Sequence, residues 1–170
     1  MQKSNVNLRY LPKRLTKKDK KIQYGMLMKS RRLYKKGTYF TRKPLRSYKN
    51  KTSKHILRAK KLYGVENIGA TNELAKATGC SKEALGEIIR KGEGAYYSSG
   101  SRPNQTAQSW GVARLASSIT SGKAAAVDFS ILEEGCKKNS RALRLAKLAK
   151  KKHGHGTRRV PKTRVYTFSH

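Results

Sequence analysis

The sequence predicts a mainly α-helical protein. A small helical domain of about four to five short helices, including a helix-turn-helix-like hairpin, sits between long, basic, partly extended N- and C-terminal arms. Three observations predict it. Oxygen-bearing residues recur just before apolar stretches of helical spacing, and a glycine recurs at or just past their ends. Strand-type alternation is weak. Charge is segregated: residues 1–65 carry 22 Lys+Arg and one acid, Asp19; residues 66–136 carry 7 Lys+Arg and 8 acids; residues 137–170 carry 12 Lys+Arg and no acid. These shifts mark a basic N-terminal arm with two helical stretches (1–65), a near-neutral helical core (66–136), and a basic C-terminal helix and tail (137–170).

The elements follow in order. Thr16 and Asp19 have capping-box spacing, with Asp in place of the usual Glu. The stretch after them carries Ile22, Met26, Leu27, Leu33 and Tyr34 and stops at Gly37. Ser53 opens a second stretch with Ile56, Ala59, Leu62 and Tyr63, closed by Gly64. Residues 71–78 precede Gly79. Ser81 opens a stretch with Leu85, Ile88 and Ile89, closed by Gly92. Thr106 opens one whose stripe is Val112, Leu115, Ala116 and Ile119, ended by Gly122. Asp128 caps a short helix with Ile131 and Leu132 before Gly135, and Ser140 caps 141–152 before Gly154. Residues 36–48 and 164–168 alternate to some degree, but both also fit extended arm. No fixed-period repeat is visible.

The formal charge of the 170-residue chain is +32, and only 36% of it is apolar, below the usual globular fraction. A segment of about 70 residues buries a modest core. The arms have few apolar residues to offset chain entropy, and their like charges repel, so parts of them are expected to order mainly when bound. The longest apolar run is 124–127, far short of the roughly 20 residues a membrane helix needs. The N-terminus lacks the apolar segment of a secretory signal. Two cysteines, Cys80 and Cys136, make neither a disulfide framework nor a four-cysteine zinc site. Both thiols are expected to be reduced, in a soluble intracellular or viral protein. The charge implies a polyanionic partner, or an assembly that supplies counter-charge.

Residues 71–92, TNELAKATGCSKEALGEIIRKG, form the first constellation. Leu74, Ala75, Thr78, Gly79, Cys80, Leu85 and Ile88 fall where a helix-turn-helix needs small, turn and seam residues. The second helix would read DNA, yet its outward residues are Lys82, Glu83, Gly86, Glu87 and Arg90, and two carboxylates repel phosphates. An ordinary helical hairpin in the core fits as well. Residues 92–110, GEGAYYSSGSRPNQTAQSW, form the second. A glycine-rich loop feeding a helix cap can hold an anion on backbone N–H groups, with Arg102 adding a bidentate contact. The loop matches neither the Walker nor the dinucleotide pattern. A structured turn packing Tyr96, Tyr97 and Trp110 is the simpler reading, and a protein contact anchored by Tyr, Trp and Arg comes next.

Catalysis finds no support. His55, His153, His155 and His170 all lie in the basic arms, away from either cysteine, and Glu133 and Glu134 would point about 100° apart on a helix. His153 and His155 lack a third metal ligand nearby. The expectation is a non-enzyme with no cofactor, no metal and no small-molecule substrate. In the arms, Tyr10, Tyr24, Tyr34, Tyr39, Phe40, Tyr48 and Tyr63 interleave with Lys and Arg, a composition suited to base stacking or to a partner's pockets.

Three stretches together resemble a domain of unassigned function in large nucleocytoplasmic DNA viruses, chiefly those of algae. They are Arg9-Tyr10-Leu11-Pro12 with KSRRLYKKGTYFTR, the 71–92 hairpin, and GAYYSSGSRPNQTAQSWGVARLAS. The likeness spans roughly 9–136. It implies a virion-associated protein: a minor capsid component on the inner face of the shell, made in host cytoplasm, bridging major and minor capsid proteins and contacting packaged viral DNA. Partner contacts are expected at Tyr96, Tyr97, Arg102 and Trp110. Nucleic-acid or anion contacts are expected at Lys17, Lys18, Arg31, Arg32, Lys35, Lys36, Lys82, Arg90, Lys150, Lys151, Lys152, Arg158 and Arg159. The alternative is a helix-turn-helix or charge-driven DNA-binding or packaging protein.

Overall fold

The structure, a computed structural model, describes residues 5–157 and the backbone of 162–164. Among them the chain is mainly α. Its helices are α1 (Lys17–Lys35), α2 (Lys54–Tyr63), α3 (Asn72–Thr78), α4 (Lys82–Ser98), α5 (Ala107–Ser118), α6 (Lys123–Val127), α7 (Phe129–Gly135) and α8 (Arg141–His153). That is one more than the seven stretches marked by caps and glycines, the addition being α6; five of the eight, α3 to α7, lie within 66–136. The only sheet among the described residues pairs β1 (Asn5–Asn7) antiparallel with β2 (Lys162–Arg164), Asn5 opposite Arg164. Of the two stretches with weak alternation, 36–48 contains no strand, and 165–168 lies outside the described residues.

Most helix boundaries follow local chemistry. The Thr16 hydroxyl accepts from the Asp19 N–H, the Thr71 hydroxyl from Leu74, and the Ser140 hydroxyl from Leu143. Gly37 ends α1 at φ +77°, its N–H donating to the Tyr34 carbonyl while the Thr38 N–H donates to Leu33, the paired bonds of a Schellman stop. Three boundaries differ from expectation. Helix α4 runs through Gly92 and Gly94 to Ser98, because Gly92 is needed for packing: a Cβ there would lie 2.5 Å from the Gly111 Cα. The residues after α5 use Ser121, not Gly122, for positive φ. Asp128 makes no side-chain cap to α7, since its carboxylate is held elsewhere.

The chain forms two compact units. Unit 1 comprises 1–51, 95–107 and 159–170; unit 2 comprises 52–94 and 108–158. These boundaries cut across the charge boundaries, so α2 and α8 belong to unit 2 and α1 builds unit 1.

Unit 2 has an apolar core. Leu74, Leu85, Ile88, Leu115, Ile119 and Leu132 are fully buried within it, and Ala59 of α2 and Ala142, Leu143, Ala146 and Ala149 of α8 join it. Helices α4 and α5 approach at Gly92 and Gly111, where any side chain would strike the other backbone. The turn between α3 and α4 is sealed to the connection between α7 and α8. The Ser81 N–H donates to the Gly135 carbonyl (2.8 Å), the Lys137 N–H to the Gly79 carbonyl (2.9 Å), and Cys80 is disulfide-bonded to Cys136. The expectation of two reduced thiols is corrected here. The partners lie 56 residues apart, so only the folded path of the chain brings them together.

Unit 1 combines a small apolar cluster, Leu15, Leu45 and Tyr48 with Met26 against it, with an unusual share of buried polar groups. The stripe of α1 that turns inward is Gln23, Leu27 and Ser30; of the expected Ile22, Met26, Leu27, Leu33 and Tyr34, Leu27 is buried and Met26 packs partly buried against Leu15, Leu45 and Tyr48, whereas Ile22 and Tyr34 are exposed. Gln23 donates to the Tyr10 carbonyl, and Ser30 donates to the Tyr97 carbonyl. Residues 36–48 follow an extended path, but they are pinned. The Arg42 N–H donates to the Tyr96 hydroxyl, the Leu45 N–H to Asn104 Oδ1, and the Ser47 N–H to Asp19. Much of the N-terminal arm is therefore folded rather than loose.

Candidate polyanion-binding surface

The electrostatic asymmetry of the sequence persists in each unit. Segments 5–51 and 95–107 of unit 1 carry 18 Lys+Arg and a single carboxylate side chain, Asp19. Segments 52–94 and 108–157 of unit 2 carry 18 Lys+Arg and eight carboxylates. Asp19 accepts from both the hydroxyl (2.6 Å) and the N–H (3.0 Å) of Ser47, and these bonds hold its carboxyl below the usual carboxylate range. Unit 1 thus cannot neutralise its own charge.

In unit 2, Asp128 is fully buried and accepts both fork nitrogens of Arg114 at 2.8 Å, a bidentate geometry. Lys91 Nζ approaches the same carboxylate at 4.0 Å.

The 92–110 constellation divides on folding. Residues 92–98 are the end of α4, and the loop proper is 99–106. Tyr96 is fully buried, so its ring has no surface to offer a partner. It serves instead as the floor for Arg42, whose guanidinium lies 3.8 Å from the ring centroid. Arg42 is only 6% exposed; it donates to the Ser30 hydroxyl (3.0 Å), the Tyr96 carbonyl (2.9 Å) and the Ser101 hydroxyl (2.9 Å). Burial pulls its pKa down from the ordinary value, with Tyr96 opposing. Asn104, at φ +61°, accepts from the Leu45 N–H and donates to the Leu45 and Tyr48 carbonyls. Gly100 adopts φ +139°, and a side chain there would collide with Leu27 and Tyr10. The loop is a structural clamp on 30–50, not an open anion cradle. Tyr97 is half-buried and stacks at 5.0 Å on exposed Tyr39; Trp110 is half-buried on α5; Arg102 is exposed.

The remaining candidates separate by accessibility. Lys17, Lys18, Arg32, Lys35, Lys36, Lys82, Arg90, Lys150, Lys151 and Lys152 are exposed. Arg31 is half-buried, donating to the Ser99 carbonyl at 2.8 Å and to the Asn5 carbonyl, so burial lowers its pKa. Arg158 and Arg159 lie outside the described residues. The α3–α4 hairpin exists with Leu74, Leu85 and Ile88 as its buried seam, and its outer face presents Lys82, Glu83, Glu87 and Arg90.

Arg42, Gln23 and Ser30 do not stand out in the sequence, and Ser101 and Asn104 stand out only as members of the 92–110 stretch. Polar residues among many polar neighbours give no signal of burial; the helical spacing of Gln23, Leu27 and Ser30 was the one available clue.

A shallow groove of about 330 Å³ beside the disulfide is lined by Ala75, Lys76, Gly79, Cys80, Ser81, Gly135 and Lys137, without a carboxylate or imidazole. Among the described residues no group of three or more His, Cys, Asp or Glu is placed to hold a metal, and no helix is long and apolar enough to cross a membrane. What the geometry offers is two folded units with exposed cationic faces.

No curated protein and no solved structure matches the chain. Residues 8–141 match the model of DUF5824, a family of unknown function, and the chain belongs to that family.

Proposed function

We propose that the protein is an architectural component of a large DNA virus particle. In this reading it sits on the inner face of the capsid, where its basic surfaces meet other capsid proteins and packaged DNA. The observation that carries the reading is the charge of unit 1: 18 Lys+Arg with one carboxylate in segments 5–51 and 95–107. A folded body with that imbalance gains from a polyanion and repels copies of itself without one. The viral setting rests on the sequence resemblance. Exposed Tyr39 and Arg102, with half-buried Tyr97 and Trp110, are the residues for specific protein contacts in this scheme.

Two measurements test it. Purified virions should contain the protein, with Lys and Arg side chains against capsid neighbours or DNA in side-chain-resolution images; its absence from particles ends the capsid reading. Binding to duplex DNA should weaken steeply with salt, by about 0.9 log unit per log unit of salt for each phosphate contacted. The alternative, sequence reading by the α3–α4 hairpin, draws on exposed Lys82 and Arg90. It requires a site preference that survives added salt and relaxes in Arg90→Ala.

A further inference from the structure

We propose that one face of α1 is the docking surface for the phosphate backbone of double-stranded DNA, with Gly25 as the point of closest approach. The inference rests on the nucleic-acid part of the proposed function and assigns it to a surface. Lys18, Lys21, Gly25, Lys29, Arg32 and Lys36 follow one another at spacings of 3, 4, 4, 3 and 4 residues. At 3.6 residues per turn they fall within about 80° of the helix circumference, along about 27 Å of its length. All six are exposed. The buried stripe of Gln23, Leu27 and Ser30 lies on the opposite side. The five cations therefore form a row on the exposed side of α1, with the Lys29 ammonium resting over the Phe40 ring at 4.5 Å. The one carboxylate of α1, Asp19, lies off the row and is bonded to Ser47.

Gly25 is the second, independent observation. It sits mid-helix, with nothing within 4 Å of where a Cβ would project. Neither packing nor positive φ requires glycine there. An interior helix glycine is unfavourable, yet it lets a partner's backbone come close. Centred in a row of cations, it makes a bare notch flanked by Lys21 and Lys29.

The row favours duplex DNA over other polyanions. No aromatic residue lies within it; the neighbouring Phe40 ring is half-buried and already faces the Lys29 ammonium at 4.5 Å, so it is a poor platform for an unpaired base. The row has no apolar anchor within it of the kind that fixes an acidic protein partner; Ile22 and half-buried Met28 border it, one on each side. What it offers is point charges and bare backbone, the means by which a phosphate chain is held without reading sequence.

The test uses the full chain and a labelled 20-base-pair duplex of mixed sequence, titrated across a salt series. The Lys18→Gln/Lys29→Gln/Arg32→Gln variant should bind at least about tenfold more weakly at low salt. Its log–log salt slope should be shallower by about 2.7, three contacts at 0.9 each. Gly25→Gln adds bulk without charge and improves helix propensity, so it should keep or raise thermal stability while weakening binding about three- to tenfold. Lys138→Gln/Arg144→Gln/Lys147→Gln, on and just before α8, removes the same charge from exposed positions elsewhere and should move the slope by less than one.

Equal losses in the α1 and α8 variants, or unchanged binding by both α1 variants, overturn the assignment while leaving DNA contact intact. Absence of any duplex binding by the unaltered chain overturns the nucleic-acid part of the proposed function as well. A single-stranded 20-mer or polyglutamate that competes as well as duplex at equal charge concentration overturns the choice of partner.

Discussion

Units 1 and 2 present the same number of Lys+Arg in their described segments, 18 each, yet they solve the problem of folding a cationic chain differently. Unit 2 has eight carboxylates, a contiguous apolar core and a disulfide. Unit 1 has one carboxylate, and hydroxyls, amides and a buried arginine in its interior. The difference teaches that Lys/Arg content does not decide whether a segment folds. What decides is whether the chain can satisfy the groups it buries, through a contiguous apolar core in unit 2 and through a smaller apolar cluster plus buried hydrogen bonds in unit 1.

The comparison can be broken most forcefully at the disulfide. Closing a loop of 56 residues constrains the unfolded chain by about 4 kcal/mol. The double variant Cys80→Ser/Cys136→Ser should destabilise unit 2 by that order. Trp110, the only tryptophan, reports it by fluorescence in urea, while hydrogen exchange in 17–35 should be unmoved. Equal loss in both units would mean they unfold as one.

Next in size is Arg42→Met in unit 1. It keeps much of the volume but leaves the Ser30 and Ser101 hydroxyls and the Tyr96 carbonyl without their donor. The expected cost is about 3 kcal/mol. Amide exchange in 95–107 should accelerate while Trp110 fluorescence stays constant.

Tyr63→Phe should cost unit 2 about 1 kcal/mol, since the phenol donates to the Ile119 carbonyl at 2.6 Å. The same phenol gives a pH signature. Burial pushes its pKa up to about 12 from 10.0. The folded state holds this proton more tightly than the unfolded state, so the contribution is complete below pH 10 and fades between pH 10 and 12. Ultraviolet titration should show a late-ionising tyrosine that Tyr63→Phe removes.

The smallest effect sharpens the charge comparison. Raising salt from about 50 to 200 mM shortens the screening length. It should slow amide exchange in unit 1 by more than in unit 2, because repulsion in unit 1 is less relieved from within.

Much of this was legible in sequence where a local rule applied. Thr16, Thr71 and Ser140 cap helices, and Gly37, Gly64 and Gly79 end them at positive φ, because caps and stops depend on residues a few positions apart. The seam Leu74, Leu85 and Ile88 was equally plain. Three features were hidden because their causes are distant along the chain. Gly92 looks like a stop until Gly111 is seen against it. Cys80 and Cys136 look solitary until two turns pair. Arg42 looks like one more cation in a basic arm until Tyr96 and Ser101 enclose it. For the candidate surface, exposure of Lys18 and Arg32 follows from charge alone, whereas the row they form needed the buried face of α1 to orient it.

The lone carboxylate of unit 1 has one more consequence. Segments 5–51 and 95–107 contain no histidine, and Asp19 is already held in its ionised form. These segments therefore lack the side chain whose charge ordinarily changes near neutral pH. They behave as a fixed-charge ion exchanger. If they bind a polyanion as proposed, acidification by itself does not release it, and release comes from ionic strength, a competing polymer, or covalent modification of the lysines.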